Sequence, residues 1–175
     1  MRSAFVLAVT FLVATCFVFG QSSSSTVPGP ATATCNFSDQ QQLAVQYEQI
    51  PVGKKDQDVL GHQVPYGKVW EPGKQPLTLF TNSPVTVDGS RVPAGAYTLY
   101  LIPEKKEWTL VVSKNTDEKA AYDKAKDVVR APMQIGQLPS PEPQFSVYFA
   151  HTGPNECTMR IDMADVRAWV PFEQK

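Results

Sequence analysis

A chain of 175 residues, 42% hydrophobic and 19% charged, has room for one ordinary domain and its tails. Sixteen basic residues oppose 17 acidic ones, scattered apart from Lys54-Lys55 and the Glu104 to Glu107 cluster, for a net charge of −1. That balance argues against a nucleic-acid partner or an anionic membrane surface.

The first twenty residues read as an export signal. Arg2 gives a minimal positive start, Ala4 to Phe19 form an apolar run, and Val18 and Gly20 supply the small residues of a cleavage site before Gln21. The run is short for a membrane span and no basic stop-transfer cluster follows, so no membrane span is expected. A lipid anchor at Cys16 is disfavoured, because Thr15 is bulkier than the residue such a site uses and Phe17-Val18-Phe19 continue the apolar run. Cleavage after Gly20 leaves 15 basic against 17 acidic residues, a net −2. The expected address is periplasmic or secreted.

Residues 21–36 are Ser/Pro/Thr-rich and free of charge, and read as a disordered spacer ahead of a single domain at 37–175. Leu43, Val45 and Tyr47 then alternate with polar positions until Pro51 and Gly53. Val69-Trp70 follow the turn-like VPYGK, and Leu77 to Thr81 form another strand candidate. Asp88-Gly89, between Val85-Thr86-Val87 and Arg91-Val92, is the strongest hairpin signal in the chain. Pro93-Ala94-Gly95 makes a second turn. Tyr97, Leu99 and Leu101 alternate up to Pro103, and Trp108, Leu110 and Val112 repeat the pattern after EKKE.

The segment Thr116 to Lys126 breaks the strand habit, with a capping residue, early acids and later lysines, and reads as a short surface helix or a long ordered loop. Phe145, Val147 and Phe149 resume the alternation, followed by the turn HTGPNE. Met159, Ile161 and Met163 come next, then Val166, Ala168, Val170 and Phe172. Period-2 alternation throughout implies an antiparallel sheet with one buried face. The expected fold is all-β, an antiparallel β-sandwich or partly closed barrel of about eight strands with at most one short helix.

Chemistry is scarce. The expected mature chain keeps Cys35 and Cys157, read as one disulfide in an oxidising compartment, with two independent thiols as the alternative. Neither cysteine has a second Cys or His at the short spacing of structural zinc sites. There is no Gly-x-Ser-x-Gly elbow, phosphate-binding loop, dinucleotide fingerprint or His-Glu-x-x-His motif, so no cofactor is expected. His62 and His151 are the two histidines, and a small hydrolase or metal-dependent enzyme built on either is the alternative to a non-catalytic domain. Cys157 and His151 lie six residues apart on a hairpin, where the disulfide competes for the sulfur.

A binding role rests on Tyr66, Lys68 and Trp70, with His62 beside them. Tyr66, Trp70 and Trp108 offer flat surfaces for a sugar or apolar ligand, and Tyr66-Gly67-Lys68 lies in the turn before Trp70, where its polar groups can meet a ligand. The competing reading makes Trp70 and Trp108 core anchors of their strands. Asp127 and Arg130 face opposite sides of a regular strand and meet only if KDVVR bends. The expected partner is an envelope component, a glycan or another small ligand.

Four blocks, VPYGKVW, VTVDGSRVPAGAYTLYLIP, KKEWTLVVSK and YDKAKDVVR, resemble in order those of a secreted bacterial family, the domains of unknown function numbered 2911. The resemblance runs from Leu43 to Phe172 and is most specific from Pro93 to Trp108. It implies an exported bacterial β-domain and brings no activity or catalytic residue. After Trp70 this chain has Glu71-Pro72-Gly73-Lys74-Gln75-Pro76, a departure from the family's usual polar stretch.

Overall fold

A computed structural model describes residues 29–52, 59–117 and 119–175. The expected export signal, Cys16 and the first part of the expected spacer lie outside these residues.

Nine strands form one antiparallel sheet that does not close on itself: β1 (Gly29–Asn36), β2 (Gln42–Gln49), β3 (Leu77–Thr81), β4 (Val85–Val87), β5 (Ser90–Val92), β6 (Gly95–Pro103), β7 (Trp108–Ser113), β8 (Asp127–Gly153) and β9 (Glu156–Gln174). Their spatial order is β1-β2-β3-β6-β7-β8-β9-β4-β5. The all-β antiparallel expectation holds, with one strand more than the round figure of eight.

The extra strand corrects the spacer boundary. Residues 29–36 are not a linker: Ala31, Ala33 and Cys35 turn inward while Thr32, Thr34 and Asn36 turn out, and the strand pairs residue for residue with β2 from Gly29↔Gln49 to Asn36↔Gln42. Small side chains hide this alternation from a hydrophobicity reading, yet its period is that of a half-buried strand.

Two very long strands fold the sheet over. β8 pairs with β7 as far as Met133 and with β9 from Gln134 onward, so one strand serves both halves. The β8–β9 ladder shifts register between Gln137 and Ser146, where Pro139, Pro141 and Pro143 cannot donate to it. β9 carries a matching irregularity. Its inward residues sit at 159, 161 and 163 and then at 166, 168, 170 and 172, a change of parity absorbed at Ala164, whose φ is 52°.

Beyond β2 the chain bonds to the same bend, Val52 N–H to Pro143 carbonyl at 2.9 Å and Phe145 N–H to Ile50 carbonyl at 2.9 Å. The folded sheet encloses one core, in which Leu43, Leu79, Leu99, Leu101, Leu110, Ile161 and Phe172 are fully buried.

Turn chemistry follows the sequence. Asp88 and Gly89 take φ values of 47° and 72°, both positive as a two-residue hairpin of the primed type needs, and join Val87 to Ser90. The described residues of the Thr116 to Lys126 segment contain a single 3-10 turn, Lys124–Lys126, capped by Asp123 Oδ1 accepting from Ala125 N–H at 2.9 Å. Val59–Gln63 is an irregular turn, with non-helical backbone angles at Leu60 and Gly61.

The disulfide is formed between Cys35 on β1 and Cys157 on β9, with Cα atoms 6.5 Å apart. It ties two strands that the sheet order keeps far apart.

Candidate functional site

The sheet face opposite the core is where polar and aromatic chemistry collects. Register places Ala44, Phe80 and Ala96 in one row across β2, β3 and β6. The next parallel row runs Gln46, Thr78, Thr98, Ser113 and Asp127 across five strands. A third row sets Tyr100, Val111 and Arg130 side by side.

One end of this face is roofed. The β7–β8 connection lays Tyr122 edge-on against Tyr100, with ring centroids 4.9 Å apart. Tyr122 donates its hydroxyl to Asp127 Oδ2 at 2.6 Å, Arg130 Nε donates to the same oxygen at 2.8 Å, and Arg130 Nη2 donates to the Tyr122 hydroxyl. The bend that KDVVR needs for this is a bulge: Val112 pairs with Val129 and Ser113 with Asp127, so Val128 is skipped and the two charges share a face. Asn115, buried beneath, receives Lys126 Nζ on its Oδ1 at 3.1 Å and accepts Thr98 Oγ1 on its carbonyl at 2.5 Å. Burial pushes the Tyr100 and Tyr122 phenols above their ordinary range, and Glu71 and Asp127 reinforce the Tyr100 shift. The three charged and phenolic groups are engaged mainly with one another, so this cluster clamps the roof to the sheet.

The other end is open. Gln42, Ala44, Phe80, Thr81, Asn82, Gly95 and Ala96 line a shallow depression of about 420 Å³. Its floor exists because β3 alternates: Leu77 and Leu79 enter the core and Phe80 points out, 40% exposed. Alanines on either side of Phe80 and the neighbouring Gly95 leave its ring uncovered. On the rim, Gln42 N–H donates to Asn82 Oδ1 at 2.7 Å and Gln42 Nε2 donates to Asn36 Oδ1 at 3.0 Å. The groups left for a ligand are an amide donor on Asn82 and an amide acceptor on Gln42.

A family model described as Protein of unknown function (DUF2911) matches residues 29–172. The chain belongs to the DUF2911 family. No curated protein and no solved structure matches it.

Within this DUF2911 domain the residues singled out from sequence occupy different settings. Trp70 bonds through its backbone to Leu101, at 2.7 and 3.0 Å, and its half-buried ring meets Phe145 edge-on at 5.6 Å. That places it with the core anchors, as Trp108 is at 1% exposure. Tyr66 is on the surface, but its ring lies against Gly61, where a Cβ would stand 2.9 Å from Cε2, and the Lys105 ammonium sits 5.9 Å from its centroid. Lys68 and His62 are exposed beside it. The turn departing from family pattern is pinned by Lys74 N–H donating to Glu48 Oε2 at 2.6 Å.

His151 lies elsewhere, directly opposite Cys157 in the β8–β9 ladder, its Nδ1 3.6 Å from the sulfur. Sequence reasoning missed the Phe80 depression. The available signal was a large aromatic on the outward phase of an otherwise inward-apolar strand.

Proposed function

We propose that this DUF2911 protein is an exported, non-catalytic binding domain of the cell envelope that takes a neutral glycan on the open end of its outer sheet face. The observation that supports this reading is Phe80, a large apolar ring held in water at the centre of a depression whose rim carries amides. Holding such a ring in water forgoes on the order of 1 kcal/mol of burial, an arrangement that a ligand stacking on it would offset. A sugar ring presents apolar C–H groups to an aromatic floor and hydroxyls to amide donors and acceptors at the edge, which is the combination here. The depression holds no Asp, Glu, Lys or Arg. A charged ligand therefore has no counter-charge in it, and a neutral one fits better.

The reading is tested by probing the purified chain and its Phe80→Ala variant against an array of bacterial envelope glycans. The expected result is selective binding that weakens about tenfold or more on truncation, the loss of a central aromatic contact. Because Phe80 is exposed, the variant keeps its thermal midpoint. Blank arrays, or binding indifferent to Phe80→Ala, would overturn the proposal.

A further inference from the structure

Where β1 meets the β8–β9 hairpin, Cys35, His151 and Cys157 bring their donor atoms within 4.8 Å of one another. Among the described residues this is the group of three or more Cys, His, Asp or Glu close enough to hold a metal ion. The two sulfurs are buried, at 1% and 0% exposure for their residues, while His151 is exposed at the rim. We propose that, once the disulfide is reduced, these three side chains form a Cys2His site for copper(I).

The geometry is set by strand pairing. His151 and Cys157 are cross-strand partners in β8 and β9, and β1 delivers Cys35 to the same point. Each donor therefore comes from a different strand of a sheet held by its own ladders, so the trio stays assembled when the sulfurs part. Two thiolates and an imidazole suit a soft d¹⁰ cation, and three donors with no further Cys, His or carboxylate among the described group match copper(I) better than four-coordinate zinc(II). Burial of both sulfurs shields the bound ion from water, and the imidazole stands on the accessible side, where an ion would enter.

The chemistry balances in two steps. A small dithiol gives two electrons and two protons to the Cys35–Cys157 bond, becoming a cyclic disulfide as two thiols form. Copper(I) then displaces both thiol protons, and the imidazole of His151 adds a lone pair, leaving a site of net charge −1.

The test takes the full chain through anaerobic reduction with dithiothreitol, desalting, and titration with copper(I) supplied as its acetonitrile complex against bicinchoninate as the competing chelator. One equivalent bound with thiolate-to-copper absorption, by the reduced chain and not the oxidised one, is the expected result. His151→Ala, which keeps Cys35 and Cys157, is expected to weaken binding about tenfold or more. No copper bound, or binding unchanged in His151→Ala, overturns the proposal. So does loss of the β-sheet circular dichroism on reduction, since the site requires β1 and β9 in place.

Discussion

Among the described residues, Asp162 is the most deeply buried carboxylate, and its partner is one guanidinium. It is 3% exposed and receives Arg167 Nε at 2.7 Å and Nη2 at 2.5 Å, a fork across the Ala164 irregularity of the same strand. The guanidinium itself is more than a third exposed, so solvent screens part of the pair. Arg167→Ala leaves the carboxylate buried and is expected to cost about 2–3 kcal/mol in urea unfolding, whereas truncating the exposed Lys175–Glu173 pair is expected to cost under about 1 kcal/mol.

The phenols give a second residue-level expectation. Burial raises Tyr47, Tyr97, Tyr100 and Tyr122 above the ordinary value of 10.0. The unfolded chain therefore releases these protons first as the solution becomes alkaline. Their contribution to stability is intact below the ordinary phenol value and is lost as pH rises through the raised ones. The urea midpoint is expected to fall as pH rises through and beyond the ordinary phenol value of about 10, and to fall less in Tyr100→Phe. Asp127–Arg130 was legible only as a pair that a bend in KDVVR would bring together, and Asp162–Arg167 not at all, because both depend on irregular strand residues.

At the scale of elements, local signals were most reliable where backbone chemistry decides. Asp88-Gly89 gave the β4–β5 hairpin directly, because few other pairs take two positive φ values in succession. Gly89 stands at φ 72° with open space around an added Cβ, so Gly89→Ala is expected to cost about 1 kcal/mol from the left-handed backbone alone and to leave the fold intact by circular dichroism. Burial alternates along β2, whereas β6 and β7 are buried on both faces, with Thr98, Tyr100, Val111 and Ser113 covered as well as the core-facing residues.

β1 and the first half of β8 were less legible. The Ala-Thr alternation of β1 carries little apolar contrast, and β8 is dense in proline where its pairing slips. The β7–β8 connection is held as a roof by the Tyr122–Asp127–Arg130 network and not by helical propensity. Tyr122→Phe with Arg130→Ala is expected to raise amide hydrogen exchange across the connection by about tenfold or more, with β2 and β9 unchanged.

Over the whole molecule, the sheet is one open surface folded about its longest hairpin, with the Cys35–Cys157 bond fastening the outermost strand to β9 across a sequence separation of 122. Closing so long a loop in the unfolded chain corresponds to about 4–5 kcal/mol in the chain-entropy view, and the double change of both cysteines to serine is expected to lower stability by about 3–5 kcal/mol without altering the outer face. The pairing was readable from composition and the expected compartment, and His151 fell on one hairpin with Cys157, but their direct opposition needs the register of a 27-residue strand. The same limit applied to the proposed site. Tyr66 and Trp70 were conspicuous in sequence because they are aromatic and adjacent to a turn, yet one is stacked by its neighbours and the other faces Phe145.

Phe80 was legible as a strand residue, and its exposure required knowing that Ala44 and Ala96 would flank it. The most direct test is a backbone amide NMR titration of the full chain with the envelope glycan fragments that the array selects. Shifts confined to Gln42, Ala44, Phe80, Asn82, Gly95 and Ala96 are expected, and shifts centred instead on His62, Tyr66 and Lys68 would overturn binding at Phe80.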